Sequence, residues 1–303
     1  MKRVLLLLLV LLMMLSCALA EDEESLVLQQ AFEPIPWDVT ESPNMPNPDA
    51  YLPDNGGYHD DSIDVRIELF RSHDTTVMAM YVTLTDISQL RTTFAGNGLS
   101  SKTTTLVANM TKRVHAVVGI NGDYASYHNQ GIVYRNGKRC RFNPVSGRDT
   151  LIIDENGDFH IMSPTTRADW DAYLEQGGTV LHTFTFGPGL VINGEPLTDL
   201  STVRLDCGKG KDTQRMVIGQ IGHLEYLILA TEGPENKGSV GFDLLEMAEL
   251  CMEMGMTNAY NLDGGSSSTI SLNNQKINSL STGKHRPVGD CIWFATLVPS
   301  SEQ

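Results

Sequence analysis

Residues 63–69 read Ile-Asp-Val-Arg-Ile-Glu-Leu, and every second side chain in this stretch is apolar. Such alternation is typical of a β-strand with one face buried and the other face in water. Residues 77–84 follow closely, and their β-branched and aromatic side chains predict a second strand. Strands therefore dominate the start of the predicted domain.

Three Asn-Gly pairs lie between apolar runs farther along the chain, at residues 136–137, 156–157 and 193–194. Asn-Gly favours a hairpin turn because both residues tolerate a positive φ. The acidic run at residues 154–158 lacks the spacing and final glutamate of an EF-hand, so it is interpreted as one of these turns.

Helical spacing occurs in fewer places. Segment 241–254 has an apolar stripe made of Leu244, Met247, Ala248, Cys251 and Met254. Ser239 is predicted to cap this helix and Gly255 to end it. Further helices are predicted at residues 167–176 and 101–110. Few helices among many strands predict an α+β fold, a single domain with a mostly antiparallel or mixed β-sheet and a few packed helices.

Composition and charge exclude some partners. The chain has 303 residues, of which 41% are hydrophobic, so it is large enough to bury a sizeable core. It carries 22 basic and 37 acidic residues, a formal net charge of -15, which repels phosphate backbones and anionic membranes. We therefore expect no nucleic-acid partner. The oligomeric state is left open.

The N-terminus predicts export. Lys2 and Arg3 precede an apolar run at residues 4–15 and then small residues that end in Ala18-Leu19-Ala20, the order found in signal peptides. The run is too short for a membrane span, so residues 1–20 are predicted to be removed and the mature chain to be secreted or extracytoplasmic, with no transmembrane span. A bacterial lipoprotein signal with a lipid anchor on Cys17 is the alternative.

The remaining chain divides into an acidic linker or arm rich in proline and asparagine at residues 21–57, a folded domain at 58–298 and a tail at 299–303. Four cysteines remain after cleavage, and outside the cell they permit disulfides whose pairing is open. They are Cys140, Cys207, Cys251 and Cys291. The position of Cys251 on the apolar helix stripe favours a buried thiol there.

Polar residues that could bind or react with a ligand follow two predicted strands. Asp263 comes after a strand at 259–262 and before Gly264, Gly265 and the hydroxyls of residues 266–269. Adjacent glycines let backbone N–H groups approach a ligand, and hydroxyls add donors for phosphate or sugar oxygens. The alternative is a glycine hairpin with solvated serines.

The second strand end has a similar pattern. An apolar run at 117–120 leads into Asn121, Gly122 and Asp123. Two strand-end carboxylates that face one cleft would suit glycoside hydrolysis. Arg215 precedes another apolar run and could grip phosphate in a planar fork, or it is a solvated strand end.

Four segments in this order together resemble the phosphodiester glycosidases. They are GINGDYASY (119–127), GPGLVINGE (187–195), QRMVIGQ (214–220) and NLDGGSSST (261–269). The resemblance covers residues 58–298. It implies hydrolysis of a sugar 1-phosphodiester at the anomeric carbon–oxygen bond, with a cell-wall, capsular or glycan substrate that carries phosphate.

The resemblance and the chemistry together suggest roles for the candidate residues. Asp263 is the main catalytic carboxylate, Asp123 its partner or a sugar ligand, and Glu232, after another apolar strand, a third candidate acid. Phosphate binding falls to Arg215 and to the backbone of Gly264 and Gly265. Asn121 and Ser267 are expected to orient substrate hydroxyls.

No cofactor is required by the sequence, although these carboxylates and hydroxyls would also suit Ca²⁺ or Mg²⁺. Two other classes of function compete with the hydrolase. One is a non-catalytic cell-surface module that binds phosphorylated glycans. The other is a serine esterase that uses one of Ser266, Ser267 and Ser268, although the segment does not match G-x-S-x-G.

Overall fold

The computed structural model describes residues 32–201, 211–234, 236, 238–279 and 285–300. Contacts divide the chain into two units, Met1–Glu33, of which only residues 32 and 33 are described, and Pro34–Gln303. The predicted signal peptide, the alternative lipid anchor on Cys17, and Cys207 lie outside the described residues. Within the described part of the chain, no helix is long and apolar enough to cross a membrane.

The described residues form three α-helices and nineteen strands. The helices are α1 (Val107–Arg113), α2 (Arg167–Glu175) and α3 (Leu244–Glu253). The strands are β1 (Tyr51–Leu52), β2 (Gly57–His59), β3 (Ile63–Ser72), β4 (Thr75–Leu84), β5 (Leu90–Phe94), β6 (Val118–Asn121), β7 (Gly131–Arg135), β8 (Lys138–Asn143), β9 (Thr150–Ile153), β10 (Phe159–Met162), β11 (His182–Phe184), β12 (Gly189–Ile192), β13 (Glu195–Pro196), β14 (Met216–Gly222), β15 (Glu225–Thr231), β16 (Asn258–Asn261), β17 (Ile270–Leu272), β18 (Gln275–Lys276) and β19 (Asp290–Phe294).

Two large antiparallel sheets position the candidate site. The first has nine strands in the order β1-β2-β3-β4-β15-β14-β16-β12-β13. The second has five strands in the order β18-β17-β6-β19-β5. Smaller sheets, β10-β9-β11 and β7-β8, lie beside them in the fold. These few helices and antiparallel strands confirm the predicted α+β class.

The central strands of the nine-stranded sheet are buried on both faces, which explains the nearly continuous apolar run in β4. Met78, Met80 and Val82 pack into a core shared with the five-stranded sheet. Val77 and Ala79 point the other way, into a second core formed with α3. Helix α1 contacts β6, β17 and β19. The chain thus stacks helix, sheet, sheet and helix in four layers.

Helix α3 confirms the predicted amphipathic helix but begins later than expected. Its cap is Asp243 and not Ser239, because the Asp243 carboxylate accepts from the N–H groups of Leu245 and Glu246. The Asp243 N–H in turn donates to the Glu246 carboxylate, which completes a capping box. The Ser239 hydroxyl instead donates to Glu232.

Helix α2 confirms the prediction at residues 167–176. The helix predicted at residues 101–110 is wrong in its first half, since α1 starts at Val107. Thr105 instead forms an isolated antiparallel bridge with Val288, and each backbone N–H of this pair donates to the carbonyl of the other. A tertiary contact therefore overrides the local helical spacing there.

All three Asn-Gly pairs connect antiparallel strands, as predicted, in the hairpins β7–β8, β9–β10 and β12–β13. Asn136 and Asn193 have φ values of 50° and 51°, and the glycines that follow them are also positive. This geometry is that of the turn that matches the twist of the flanking strands.

The predicted arm at residues 21–57 packs more closely than expected over its described part. Ile35 is buried, and β1 and β2 extend the nine-stranded sheet. The buried Arg91 guanidinium donates to three backbone carbonyls of this segment. These carbonyls lie outside the sheets, so the guanidinium takes the place of a strand partner. The compact unit therefore starts at Pro34, ahead of the boundary expected at Tyr58.

Candidate active site

The ends of β6 and β16 meet, although the two strands belong to different sheets. Asn121 ends β6, and its side-chain amide donates to the backbone carbonyl of Asp263 at 2.7 Å. Its Oδ1 accepts from the Thr269 N–H at 3.0 Å. This buried side chain therefore fixes the two strand ends together, while its role toward substrate hydroxyls stays a prediction.

Two glycines allow the chain after Asp263 to turn tightly against β14. A Cβ on Gly264 would lie 2.5 Å from the Gln214 carbonyl oxygen, closer than real contacts allow. The Gly265 N–H donates to the same oxygen at 2.9 Å, and Gly265 has a φ of 59°. The Gly265 N–H, predicted to bind phosphate, thus has a protein partner in this structure.

A cavity of about 420 Å³ opens beside these strand ends. Its wall combines one carboxylate, one guanidinium, one hydroxyl and several aromatic and apolar side chains. The lining residues are Tyr124, Tyr127, Phe186, Asp263, Ser267, Arg286, Pro287 and Val288. None of these is a histidine, so the cavity wall offers no imidazole base for a serine nucleophile.

Asp263 is the carboxylate that faces the cavity. Burial raises its pKa to about 6, and the nearby charge of Asp123 acts in the same direction. A hydrogen bond from Ser267 and the positive charge of Arg286 partly oppose this shift. The group is therefore mostly ionised at neutral pH but close enough to its pKa to exchange a proton.

Arg286 is the guanidinium of the cavity. Its Nη1 donates to the Ser267 hydroxyl oxygen at 3.3 Å, and its backbone N–H donates to the Ser266 carbonyl. The Ser267 hydroxyl also donates to the Asp263 carboxylate. The buried Ser267 hydroxyl thus links the Asp263 carboxylate to the Arg286 guanidinium.

Asp123 lies behind the cavity in a buried ion cluster. Its side chain is 1% exposed, and Oδ1 accepts from Arg135 Nη2 at 2.9 Å while Oδ2 accepts from the Thr185 N–H at 2.8 Å. The same Nη2 donates to Asp290 Oδ2 at 2.7 Å. Both Asp123 oxygens are therefore paired within the protein, and a direct role on substrate stays a prediction.

The charges in this cluster influence each other. Burial would lower the pKa of Arg135, but Asp123 and Asp290 outweigh it and hold that pKa above its ordinary value. Burial raises the pKa of Asp290 to about 6, helped by the charges of Asp123 and Asp263 and opposed by Arg135. The three carboxylates thus interact, and only Asp263 opens on the cavity.

Arg215 and Glu232 are brought near one another but do not line the cavity. The Arg215 guanidinium donates to the carbonyls of Phe242 and Lys211, and its backbone N–H donates to the Thr231 hydroxyl. Burial would raise the pKa of Glu232, but hydrogen bonds from Ser239 and other neighbours lower it. Their predicted roles stay predictions.

Sequence reasoning did not select several groups that the structure brings to the site. Arg286 and Asp290 come from the HRPVGD segment, which has no recognisable motif, and Arg135 precedes a hairpin turn. Tyr124 lies within a quoted motif, and its ring packs edge-on against Phe186 with centroids 5.1 Å apart. Tyr124 has a φ of 51°, a left-handed conformation that is uncommon for residues other than glycine.

Among the described residues, no group of three or more His, Cys, Asp or Glu side chains is arranged to hold a metal ion. Cys140, Cys251 and Cys291 are free thiols. Cys251 is buried, as its place on the helix stripe predicted.

The sequence profile of the Phosphodiester glycosidase family matches residues 114–295. This match spans more than half of the chain and includes both strand ends and the cavity wall. The protein belongs to the phosphodiester glycosidase family.

The chain also resembles a curated protein in sequence. The SPbeta prophage-derived uncharacterized protein YomE of Bacillus subtilis (strain 168) is 26% identical over 194 residues, which are 61% of this chain and 29% of that protein. The chain therefore spans less than a third of that relative's length.

Solved structures show the same fold. The zebrafish N-acetylglucosamine-1-phosphodiester alpha-N-acetylglucosaminidase catalytic domain, auto-inhibited by its pro-peptide, matches with a TM-score of 0.60 and 17% identity over 77% of this chain and 83% of that one. A hypothetical protein from Synechocystis matches with a TM-score of 0.54 and 14% identity over 77% and 62%. At these identities the likeness concerns the fold alone.

Proposed function

We propose that this protein hydrolyses a sugar 1-phosphodiester and releases the free sugar and a phosphomonoester. The family membership supports the reaction class. The observation that carries the proposal is the cavity in which the Asp263 carboxylate, with a pKa raised to about 6, lies beside the Arg286 guanidinium. A carboxylate and a cation are the two groups that this reaction needs.

In the proposed reaction the bond between the anomeric carbon and the phosphate oxygen breaks, and the phosphomonoester leaves with the bonding electrons. A phosphomonoester has a second pKa of about 6, so it departs without much help from a general acid. Positive charge then develops at the anomeric carbon, where the Asp263 carboxylate stabilises it. Water supplies the new hydroxyl group and gives up one proton.

Arg286 is proposed to hold the phosphate, because a guanidinium donates in a planar fork that matches phosphate oxygens. It replaces Arg215 as our first choice for this role, since Arg286 lines the cavity. The aromatic wall formed by Tyr124, Tyr127 and Phe186 offers an apolar surface for the face of a sugar ring. Ser267 orients both charged groups through its hydroxyl.

Export is part of the proposal. The Lys-Arg start, the short apolar run and the small residues before position 21 support a signal peptide. Mass spectrometry of protein produced in a bacterial host should find a mature chain that begins after Ala20. A chain that begins at Cys17 with added lipid mass would support the lipoprotein route, and an uncleaved chain would contradict both.

The reaction is tested by incubating the purified protein with a sugar 1-phosphodiester and measuring free sugar and phosphomonoester. Asp263→Asn should lower kcat by about 10³-fold, since it removes the charge that stabilises the transition state. Asp61→Asn is the matched control, because Asp61 is exposed, does not line the cavity and undergoes the same chemical change.

Two outcomes would overturn the proposal. Full activity of Asp263→Asn would remove this residue from the mechanism. Tight binding of the diester by the wild-type protein without any turnover would favour the competing function, a module that binds phosphorylated glycans.

A further inference from the structure

A second and larger hollow lies on the other side of the turn that walls the candidate site. It encloses about 1020 Å³ and is lined by parts of residues 37–41, 92–102 and 126–141 together with Arg113. We call it the cationic groove, after five of its lining residues: Lys102, Arg113, Lys138, Arg139 and Arg141.

The charge of the groove is opposite in sign to the net charge of the chain. The protein has a formal net charge of -15, yet these five cations face only two acidic residues in the groove wall, Asp38 and Glu41. Among the described residues, no carboxylate forms an ion pair with Lys102, Lys138 or Arg139. A local positive field in an acidic protein concentrates anions there.

The groove and the cavity share one wall. The turn Ala125–Tyr127 and its neighbours turn Tyr124 and Tyr127 toward the cavity, and Ser126, His128 and Asn129 toward the groove. A ligand that occupied both hollows would have to pass this turn.

One groove cation holds that wall in place. Arg141 Nη1 donates to the carbonyls of Ala125 at 2.9 Å and of His128 at 2.7 Å, and Arg141 Nη2 donates to the carbonyl of Gln130. The wall between the two hollows is thus built on β8, the strand that also presents Lys138 and Arg139. These two side chains are exposed.

We propose that the cationic groove binds the continuation of a polymeric substrate, a glycan whose units are joined by repeated phosphodiesters. This inference rests on the proposed function, because the cavity would hold the one linkage that is cleaved. A single diester has one phosphate, which Arg286 can hold, whereas the further cations of the groove, of which Lys102, Lys138 and Arg139 are exposed, suit further phosphates. The substrate class is therefore a sugar-phosphate polymer and not a small diester.

Binding is tested in the full-length Asp263→Asn protein, so that substrate is not consumed. The probes are a fluorescent oligosaccharide whose sugars are joined through phosphodiesters and a single sugar 1-phosphodiester. The oligomer should bind more tightly, and its affinity should fall as salt is added. Adding Lys138→Gln and Arg139→Gln should weaken oligomer binding about tenfold and leave the single diester unchanged.

The matched control adds Arg66→Gln and Arg71→Gln, which remove the same charge from exposed positions on β3. Equal weakening by the groove and control pairs would overturn the inference, as would equal affinity for the oligomer and the single diester. Equal binding of a carboxylated oligosaccharide or a single-stranded oligonucleotide of the same charge would also overturn it, because the groove would then not select phosphodiester glycans.

Failure of the proposed function gives a different pattern. If the wild-type protein does not hydrolyse the single diester, but the oligomer binds and the groove pair weakens that binding, the reaction is wrong and the groove assignment stands. If the single diester is hydrolysed and the groove pair has no effect on the oligomer, the reaction stands and the groove assignment falls.

Discussion

Asp123 and Asp263 each follow a buried strand that ends in asparagine, β6 in the five-stranded sheet and β16 in the nine-stranded sheet. Asp123 is 1% exposed and both of its oxygens are paired, with Arg135 and with the Thr185 N–H. Asp263 borders a cavity and is flanked by a hydroxyl and an exposed guanidinium. The comparison shows that the pairing around a strand-end carboxylate, and not its sequence context, decides what it can do.

The burial of Asp263 makes the free energy of unfolding depend on pH in a direction that can be predicted. The folded-state pKa of Asp263 is raised to about 6, above the value of about 3.9 for an unfolded aspartate. Folding therefore favours the protonated form, and the stability that this group contributes falls as the pH rises from about 4 to about 6. At neutral pH the folded protein keeps an ionised carboxylate at Asp263 in spite of this cost.

Asp123→Asn should cause the largest loss of stability. The substitution leaves the buried Arg135 with one carboxylate partner in place of two, and removing a member of a buried ion cluster typically costs about 3 kcal/mol. Urea denaturation at neutral pH measures the free energy of unfolding, with Asp61→Asn as the control. A loss no larger than that of the control would mean that the buried cluster does not stabilise the fold.

Arg286→Gln should chiefly affect activity. Loss of a charge-assisted hydrogen bond to phosphate is expected to lower kcat/KM about 30-fold, or about 2 kcal/mol. Because the positive charge of Arg286 lowers the pKa of Asp263, the acidic limb of the pH–rate profile should also move to higher pH. Steady-state kinetics across the pH range checks both effects.

The matched variant for this test is Arg66→Gln, which removes an exposed guanidinium on β3, outside both the cavity and the groove. Arg66→Gln should leave the limb where it is, and a limb that moves equally in the two variants would mean that Arg286 has no special relation to Asp263. An unchanged kcat/KM in Arg286→Gln would remove Arg286 from phosphate binding.

Ser267→Ala should have a smaller effect. The variant removes one buried hydrogen bond to Asp263 and one from Arg286, which together are expected to reduce kcat by about fivefold, or about 1 kcal/mol. Since that hydrogen bond lowers the pKa of Asp263, the acidic limb should move in the same direction as in Arg286→Gln. The Ser268 hydroxyl donates to the Arg215 carbonyl and not to Asp263, so Ser268→Ala should leave the limb in place.

Much of the fold could be predicted from the sequence because its signals are local. Alternation in β3, Asn-Gly turns such as Asn136-Gly137 and the apolar stripe of α3 each depend on near neighbours. The errors came from long-range contacts. The bridge between Thr105 and Val288 replaced predicted helix, and Arg91 gave a proline-rich segment the partners that its composition does not reveal.

The candidate site could be predicted only in part. Asp263, Asn121 and Ser267 lie together because each belongs to a motif at the end of a strand. The pairing of Arg135 with Asp123, 12 residues away, and with the distant Asp290 depends on how the sheets stack, and residue spacing in the sequence does not reveal it. Arg286 was missed for the same reason.

The most direct test of the contrast between the two aspartates is the free energy of unfolding of Asp263→Asn at two pH values. Near pH 7.5 this variant should be more stable than the wild type by about 2 kcal/mol, and near pH 4 the gain should largely vanish because the wild-type carboxyl is then protonated in the folded state. The same preparation should release sugar about 10³-fold more slowly than the wild type. A variant that is destabilised as Asp123→Asn is, or one that keeps its turnover, would contradict the assignment of Asp263 as the strained, reactive carboxylate.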